Sequence, residues 1–251
     1  MLEYYNIDTR DGMKLYGTAH ISDVFNKEIY IIVHGYFSSN RIGPSRLYYQ
    51  IGQFLVKKGY NVVRFDLRAM GESEGELEQV KYFDHVSDLK EIVEDTCFRY
   101  KIKRVGIIAH CIGCNITLPL LRQLECIERI IFISPYFTST LTLNAFFDRQ
   151  QQQDLKILGY TYRKGIYVDG TFFTGINLFD EFTDEIARSS DHIDIISAEK
   201  DQFISLNEIR RFYKRVGKKP LIVRGADHNY LNQYARQELI EYIYNLLRRE
   251  S

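Results

Sequence analysis

The chain has 251 residues, 45% of them hydrophobic, which suits one sizeable core in a single α/β domain with an insertion. Its 33 basic and 33 acidic residues cancel, so no clustered positive excess is implied and nucleic acid is not expected as a partner. No window is apolar for long enough to span a bilayer, and the opening MLEYYNIDTRDGMKLYG has no basic leader; a cytoplasmic protein with reduced cysteines is expected.

Segments around 3–9 and 13–21 flank the turn pair Asp11-Gly12 and predict an opening hairpin. Continuous apolar runs bounded by turn residues then appear at EIYIIVHG (28–35), YNVVRFD (60–66), RVGIIAH (104–110), RIIFISP (129–135), HIDIISAE (192–199) and KPLIVRG (219–225). Such runs are what strands buried on both faces require. Helical periodicity separates them at 44–58, 83–100, 112–125, 205–216 and 233–248. The alternation predicts a mostly parallel sheet covered by helices on both faces. Only 136–190 breaks the rhythm. That stretch is dense in aromatics and too long for a bare loop, so it is expected to form an inserted cap between core segments 1–135 and 191–251.

The chemistry turns on AHCIGCN (109–115), which has three readings. As a C-x-x-C, Cys111 and Cys114 could belong to a zinc site, but Cys97 and Cys126 stand alone and no H-x₃₋₅-H exists; no metal or cofactor is expected. As a redox pair they stand suitably between a strand and a helix, yet far into a long α/β chain rather than near its start. As a nucleophile elbow, Ala109-His110-Cys111-Ile112-Gly113 has small residues flanking a central nucleophile, as the tight strand–turn–helix demands. Cys114 is then a small residue of the first helical turn. A decoy, Gly71-Glu72-Ser73-Glu74-Gly75, matches G-x-S-x-G to the letter, but no strand leads into it and two carboxylates flank the serine.

The rest of the constellation follows in order. Asp201 comes after strand 192–199, and His228 lies in the loop after strand 219–225, the only histidine downstream of Asp201. Nucleophile, acid and histidine in that order are the sequence of an acyl-transfer triad on a parallel sheet. Glu199 and Asp227 are close enough in sequence to compete for the acid's place. His34 and His110 are expected to support the site rather than to act in it.

Together HGYFSSN (34–40), FDLRAMGESEG (65–75), AHCIG (109–113), SAEKDQFIS (197–205) and GADHNY (225–230) resemble the α/β-hydrolase superfamily, especially its serine-aminopeptidase-like and lysophospholipase-like branch. The resemblance covers nearly the whole chain. It implies an α/β-hydrolase fold and a structural role for Ser73. The main departure is Cys111 where most members carry serine; dienelactone-hydrolase-like enzymes and some thioesterases and acyltransferases are similar in having cysteine there.

The expected activity is an acyl hydrolase for esters, lactones or thioesters, working through Cys111, His228 and Asp201 by way of an acyl-cysteine. Backbone N–H groups of Ile112 and Tyr36 are the expected oxyanion donors. Tyr36, Phe37, Tyr136 and Phe137 are expected to line the site for a small-molecule acyl substrate, free or carrier-bound. An acyltransferase using the same acyl-cysteine is the first alternative; an inactive binding protein of this fold, or a thiol redox protein, is the next.

Overall fold

The computed structural model describes residues 2–22, 28–35, 40–136, 146–172, 181–188 and 191–248. An antiparallel pair, β1 (Leu2–Asp8) and β2 (Lys14–His20), turns at Asp11-Gly12 as expected. Then come β3 (Ile29–Val33), α1 (Leu47–Lys57), β4 (Asn61–Phe65), α2 (Tyr82–Tyr100), β5 (Val105–His110), α3 (Ile112–Thr117) and β6 (Ile127–Ile133). Between β6 and the next core strand lie α4 (Arg149–Ile157), β7 (Tyr160–Arg163), β8 (Ile166–Asp169) and α5 (Thr183–Arg188). The chain closes with β9 (Ile193–Ala198), α6 (Leu206–Arg215), β10 (Leu221–Val223) and α7 (Gln233–Leu247).

Eight strands form one sheet in the order β1-β2-β4-β3-β5-β6-β9-β10. The six from β4 to β10 run parallel, and β2 pairs antiparallel with both β1 and β4. The reason that β3 reads as an unbroken apolar run is visible in how its side chains divide. Ile29, Ile31 and Val33 join the core beneath α2, α3 and α6, whereas Tyr30 and Ile32 join the core beneath α1 and α7. Successive side chains point to opposite faces, and both faces are covered. β1, by contrast, alternates exposed and buried positions, as suits an edge strand with one face in water.

One element departs from expectation. The helix expected over 112–125 ends at Thr117 and continues as a 3₁₀ turn, Leu118–Arg122. Pro119 has no N–H to give to the α-helical ladder, and its ring opposes the preceding turn's carbonyl. Between β6 and β9, β7 and β8 pair with each other in a separate two-stranded sheet. Several aromatics of that stretch, including Phe147, Phe172 and Phe182, are buried in the main core, so part of its aromatic richness is ordinary packing.

Candidate active site

The parallel strands bring their carboxyl ends to one edge of the sheet, where a doubly wound fold places its chemistry. The ladder runs past the strand ends: Cys111 N–H donates to Ile133 O at 3.0 Å, Ser134 N–H to Ile196 O at 2.8 Å, and Glu199 N–H to Val223 O at 3.0 Å. The loops after β5, β6, β9 and β10 thus start from fixed positions.

Cys111 occupies the turn between β5 and α3 with φ 60° and ψ −131°. A non-glycine residue held there stores on the order of 1–3 kcal/mol of strain, sustained by the surrounding packing. Smallness around it is enforced sterically. A Cβ on Gly113 would stand 2.6 Å from His34 O, and one on Gly35 would stand 3.0 Å from Cys111 Cβ and 3.1 Å from its Sγ.

Cys111 and His228 meet at the Tyr136 hydroxyl, which lies 3.5 Å from Cys111 Sγ and 3.4 Å from His228 Nε2. On its other side His228 Nδ1 lies 2.7 Å from Asp201 Oδ2. Both partners are almost fully buried, at 3% and 1% side-chain exposure. Asp201 is held in place through its second oxygen, which accepts the N–H groups of Phe203 (2.9 Å) and Ile204 (3.2 Å). The two competing carboxylates are engaged elsewhere. Glu199 accepts the Gly225 N–H at 2.8 Å, and Asp227 accepts those of Asn229 and Leu231.

The electrostatics of the pair follow. Burial alone would suppress charge on His228, but the Asp201 carboxylate and the Cys111 sulfur outweigh it and raise its pKa to about 10. Burial likewise disfavours a Cys111 thiolate. The His228 charge overcomes this, helped by hydrogen bonds from His228, from the Tyr136 hydroxyl and from the Ile112 N–H, and the thiol pKa is lowered. Both shifts favour a thiolate–imidazolium pair. Cys114 differs in every respect. Its sulfur faces the Ala109 carbonyl at 3.1 Å, and burial pushes its pKa well up. The C-x-x-C spacing does not bring two equivalent thiols together.

Tyr136, expected as a wall residue, is closer to the chemistry than that. Its hydroxyl lies 3.5 Å from Cys111 Sγ and 3.4 Å from His228 Nε2, and the ring is fully buried. Burial, reinforced by the adjacent sulfur, keeps the phenol protonated and so a donor. Ile112 presents its N–H to the sulfur. Tyr36, Phe37 and Phe137 lie outside the described residues.

The supporting histidines have assignable tautomers. His110 Nε2 donates to the His228 carbonyl at 2.9 Å, leaving Nδ1 to accept the Tyr48 hydroxyl at 2.8 Å, and Tyr48 in turn accepts the Gly35 N–H at 3.2 Å. Burial, with the neighbouring His228 charge, lowers the His110 pKa to about 3 and keeps it neutral. One imidazole thus ties together the loops after β3, β5 and β10. His34 donates Nδ1–H to Gly35 O at 2.6 Å and accepts the Leu67 N–H at 3.0 Å. Ser73 donates to Asp66 O and accepts the Tyr16 N–H, a wholly structural arrangement away from the cavity.

Cys111, Tyr136, His110 and His228 open onto a cavity of about 390 Å³. Sequence reasoning missed much of its wall. Phe146 and Phe203 stack at 4.2 Å between centroids with rings parallel to within 1°, and Phe203 meets His228 edge-on at 4.8 Å. Arg163, Lys164 and Ile166, from the β7–β8 hairpin, complete that side. Only contact across the fold marks these residues. Among the described residues no group of histidine, cysteine and carboxylate side chains could hold a metal ion, and no helix is long and apolar enough to cross a membrane.

Comparison with known proteins bears on the family and the fold. Residues 26–166 match the family model described as serine aminopeptidase, S33. No curated protein matches the sequence. Among solved structures, the Pyrococcus furiosus esterase Pf2001 is similar at 24% identity and TM-score 0.73, covering 99% of this chain and 91% of its own. Est1E from Butyrivibrio proteoclasticus, solved with ferulic acid bound, is similar at 16% identity and TM-score 0.75, covering 98% and 100%. The α/β hydrolase domain-containing protein 10 from mouse gives 15% identity and TM-score 0.74, covering 99% and 100%. At such identities these structures speak for the fold, while the family model spans more than half of the chain. The chain belongs to the serine aminopeptidase S33 family of α/β-hydrolases.

Proposed function

We propose that the protein is an acyl hydrolase for esters, lactones or thioesters, with Cys111 as nucleophile, His228 as acid–base and Asp201 as its orienting carboxylate. The observation that carries this is the buried run from Asp201 Oδ2 through His228 to Cys111 at the floor of a cavity. Because the proton already rests on His228, the thiolate attacks the substrate carbonyl directly: a C–S bond forms and the carbonyl oxygen becomes an oxyanion. The Ile112 N–H donates to that oxyanion, with Tyr36 proposed as the second donor. Tyr136, whose hydroxyl touches both reacting side chains, is a third donor within reach. His228 Nε2 gives its proton to the departing group as the carbonyl re-forms, leaving acyl-Cys111. A water then loses a proton to His228 and adds to the acyl carbon; the C–S bond breaks, releasing the acid and restoring the pair.

Residues 136–190 serve in this reading as a cap over the acyl site, with Phe146 supplying apolar surface. The test is incubation with p-nitrophenyl esters and acyl-thioesters, followed by turnover and by intact mass. Turnover with an acyl adduct that maps to Cys111 and disappears in Cys111→Ala is expected. Neither turnover nor adduct across both substrate classes sinks the proposal. An adduct that water scarcely clears, but an amine or thiol acceptor does, makes the protein an acyltransferase instead.

A further inference from the structure

The tip of the β7–β8 hairpin is Arg163-Lys164-Gly165, with Lys164 at φ 50° and Gly165 at φ 78°, the paired positive φ values of a tight hairpin turn. This turn brings two cations to the cavity that holds Cys111. The Arg163 guanidinium is half-buried and sits over the Phe146 ring at 4.9 Å, with Phe203 at 5.9 Å. The aromatic wall that begins at His228 therefore ends in a positive charge. Cys111 and Tyr136 are close enough to act on that charge electrostatically. Among the described residues the cavity lining contains no acidic side chain.

We propose that Arg163, seconded by Lys164, forms an anion subsite that takes a carboxylate or phosphate carried by the acyl substrate while its carbonyl lies at Cys111. The proposal rests on the acyl-hydrolase reading for its substrate and deepens it. A planar guanidinium held against aromatic faces keeps its fork in one orientation, suited to two parallel hydrogen bonds with a carboxylate or phosphate. Partial burial also removes competing water, so the attraction is stronger than between surface charges. The aromatic pair would then accommodate the apolar spacer between the reacting carbonyl and the anion.

Two measurements test this with wild type, Arg163→Gln and Arg163→Lys. The first compares kcat/KM for aryl esters of straight-chain neutral acids with aryl half-esters of dicarboxylic acids of matched length, and for acyl-thioesters with and without a phosphate-bearing leaving group. Arg163→Gln should reduce kcat/KM at least about tenfold more for the anionic member of a pair, and Arg163→Lys, which keeps the charge but not the fork, should retain only part of the preference. Loss on the half-esters places the anion on the acyl side; loss on the phosphate-bearing thioesters places it on the leaving group. The second measurement needs no turnover: glutarate and inorganic phosphate are tested for slowing iodoacetamide alkylation of Cys111, read by intact mass. Protection that Arg163→Gln weakens at least about tenfold and Arg163→Lys partly preserves supports the subsite even if no ester is turned over, an outcome that would refute the hydrolase reading alone. Equal losses on charged and neutral esters, or no protection by either anion in wild type, overturn the subsite.

Discussion

Asp201→Asn is the sharpest test of the charge arrangement at Cys111. The Asp201 carboxylate lies 2.7 Å from His228 Nδ1 with both groups out of water, and His228 is raised from 6.5 to about 10 against its own burial. That displacement corresponds to about 5 kcal/mol in favour of the imidazolium. It is shared between Asp201, the larger favourable influence, and Cys111. Removing the Asp201 charge takes away the larger of the two influences that overcome burial, so the ion pair should become scarcer by on the order of 10²-fold. The amide oxygen of an asparagine can still accept the Phe203 and Ile204 N–H groups, so the loop is expected to keep its shape. Its NH₂, however, would face Nδ1 and favour the tautomer with the proton on Nε2, the nitrogen that must receive one from the thiol. The assay is the rate of iodoacetamide alkylation at Cys111 from pH 5 to 10, with circular dichroism to confirm folding. Wild type should react rapidly well below the ordinary thiol pKa, and Asp201→Asn should react about 10²-fold more slowly near pH 7. Superimposable profiles would show that Asp201 does not sustain the charge on His228.

Tyr136→Phe removes one hydrogen bond to the thiolate while leaving the ring in place; the acidic limb of the same alkylation profile should move upward, with a loss of roughly tenfold at pH 6. Unchanged reactivity would return Tyr136 to a purely packing role. Cys114→Ser should keep acylation near wild type and stability within about 1 kcal/mol, since a hydroxyl can replace the thiol's bond to Ala109 O; abolished function would instead revive a dithiol mechanism. The pH profile has two limbs of known sign. His228 is raised in the folded protein, so the stability contributed by its charge is fully present below 6.5 and is lost as pH rises through about 10; Cys111 is lowered, so its contribution is lost as pH falls through the folded thiol's pKa. Activity should plateau between the two, and a pH–rate profile that already declines from pH 7 upward would contradict the ion pair.

How much could be read in advance varied with the range of the interaction. Buried parallel strands declare themselves because both faces demand apolar residues, so β3, β4, β5, β6, β9 and β10 were each legible as runs. The elbow was legible for a steric reason too: Gly113 is small because backbone at the end of β3 crowds it. Choosing Asp201 over Glu199 and Asp227 needed three dimensions, since all three stand one to four residues beyond a strand. Only the geometry shows that the Gly225 N–H takes Glu199 and local N–H groups take Asp227. Arg163 and Phe203 gave no signal, because their meeting depends on how the β7–β8 hairpin folds back over the loop after β9. Tyr136 was expected only as a wall residue, since no pattern in sequence tells which way a hydroxyl will point.

A thiol at position 111 changes what the rest of the site must do. In a serine enzyme the hydroxyl stays neutral until histidine takes its proton during attack. Here three donors converge on the sulfur beforehand: His228, the Tyr136 hydroxyl and the Ile112 N–H. In the proposed mechanism the activation is thus completed in the resting state, and the remaining barrier lies in expelling the leaving group. A thiolate so well stabilised is itself a good leaving group, so the tetrahedral intermediate reverts unless the substrate's other substituent departs as readily. His228, charged and within reach of that substituent, eases departure by protonating it, but an amine would still be held back relative to an aryl ester, a strained lactone or a thioester. The same stabilisation favours release of the thiolate when water attacks acyl-Cys111. Selectivity for activated acyl groups is therefore expected from the charge arrangement at Cys111, before any contact with the cavity walls adds to it.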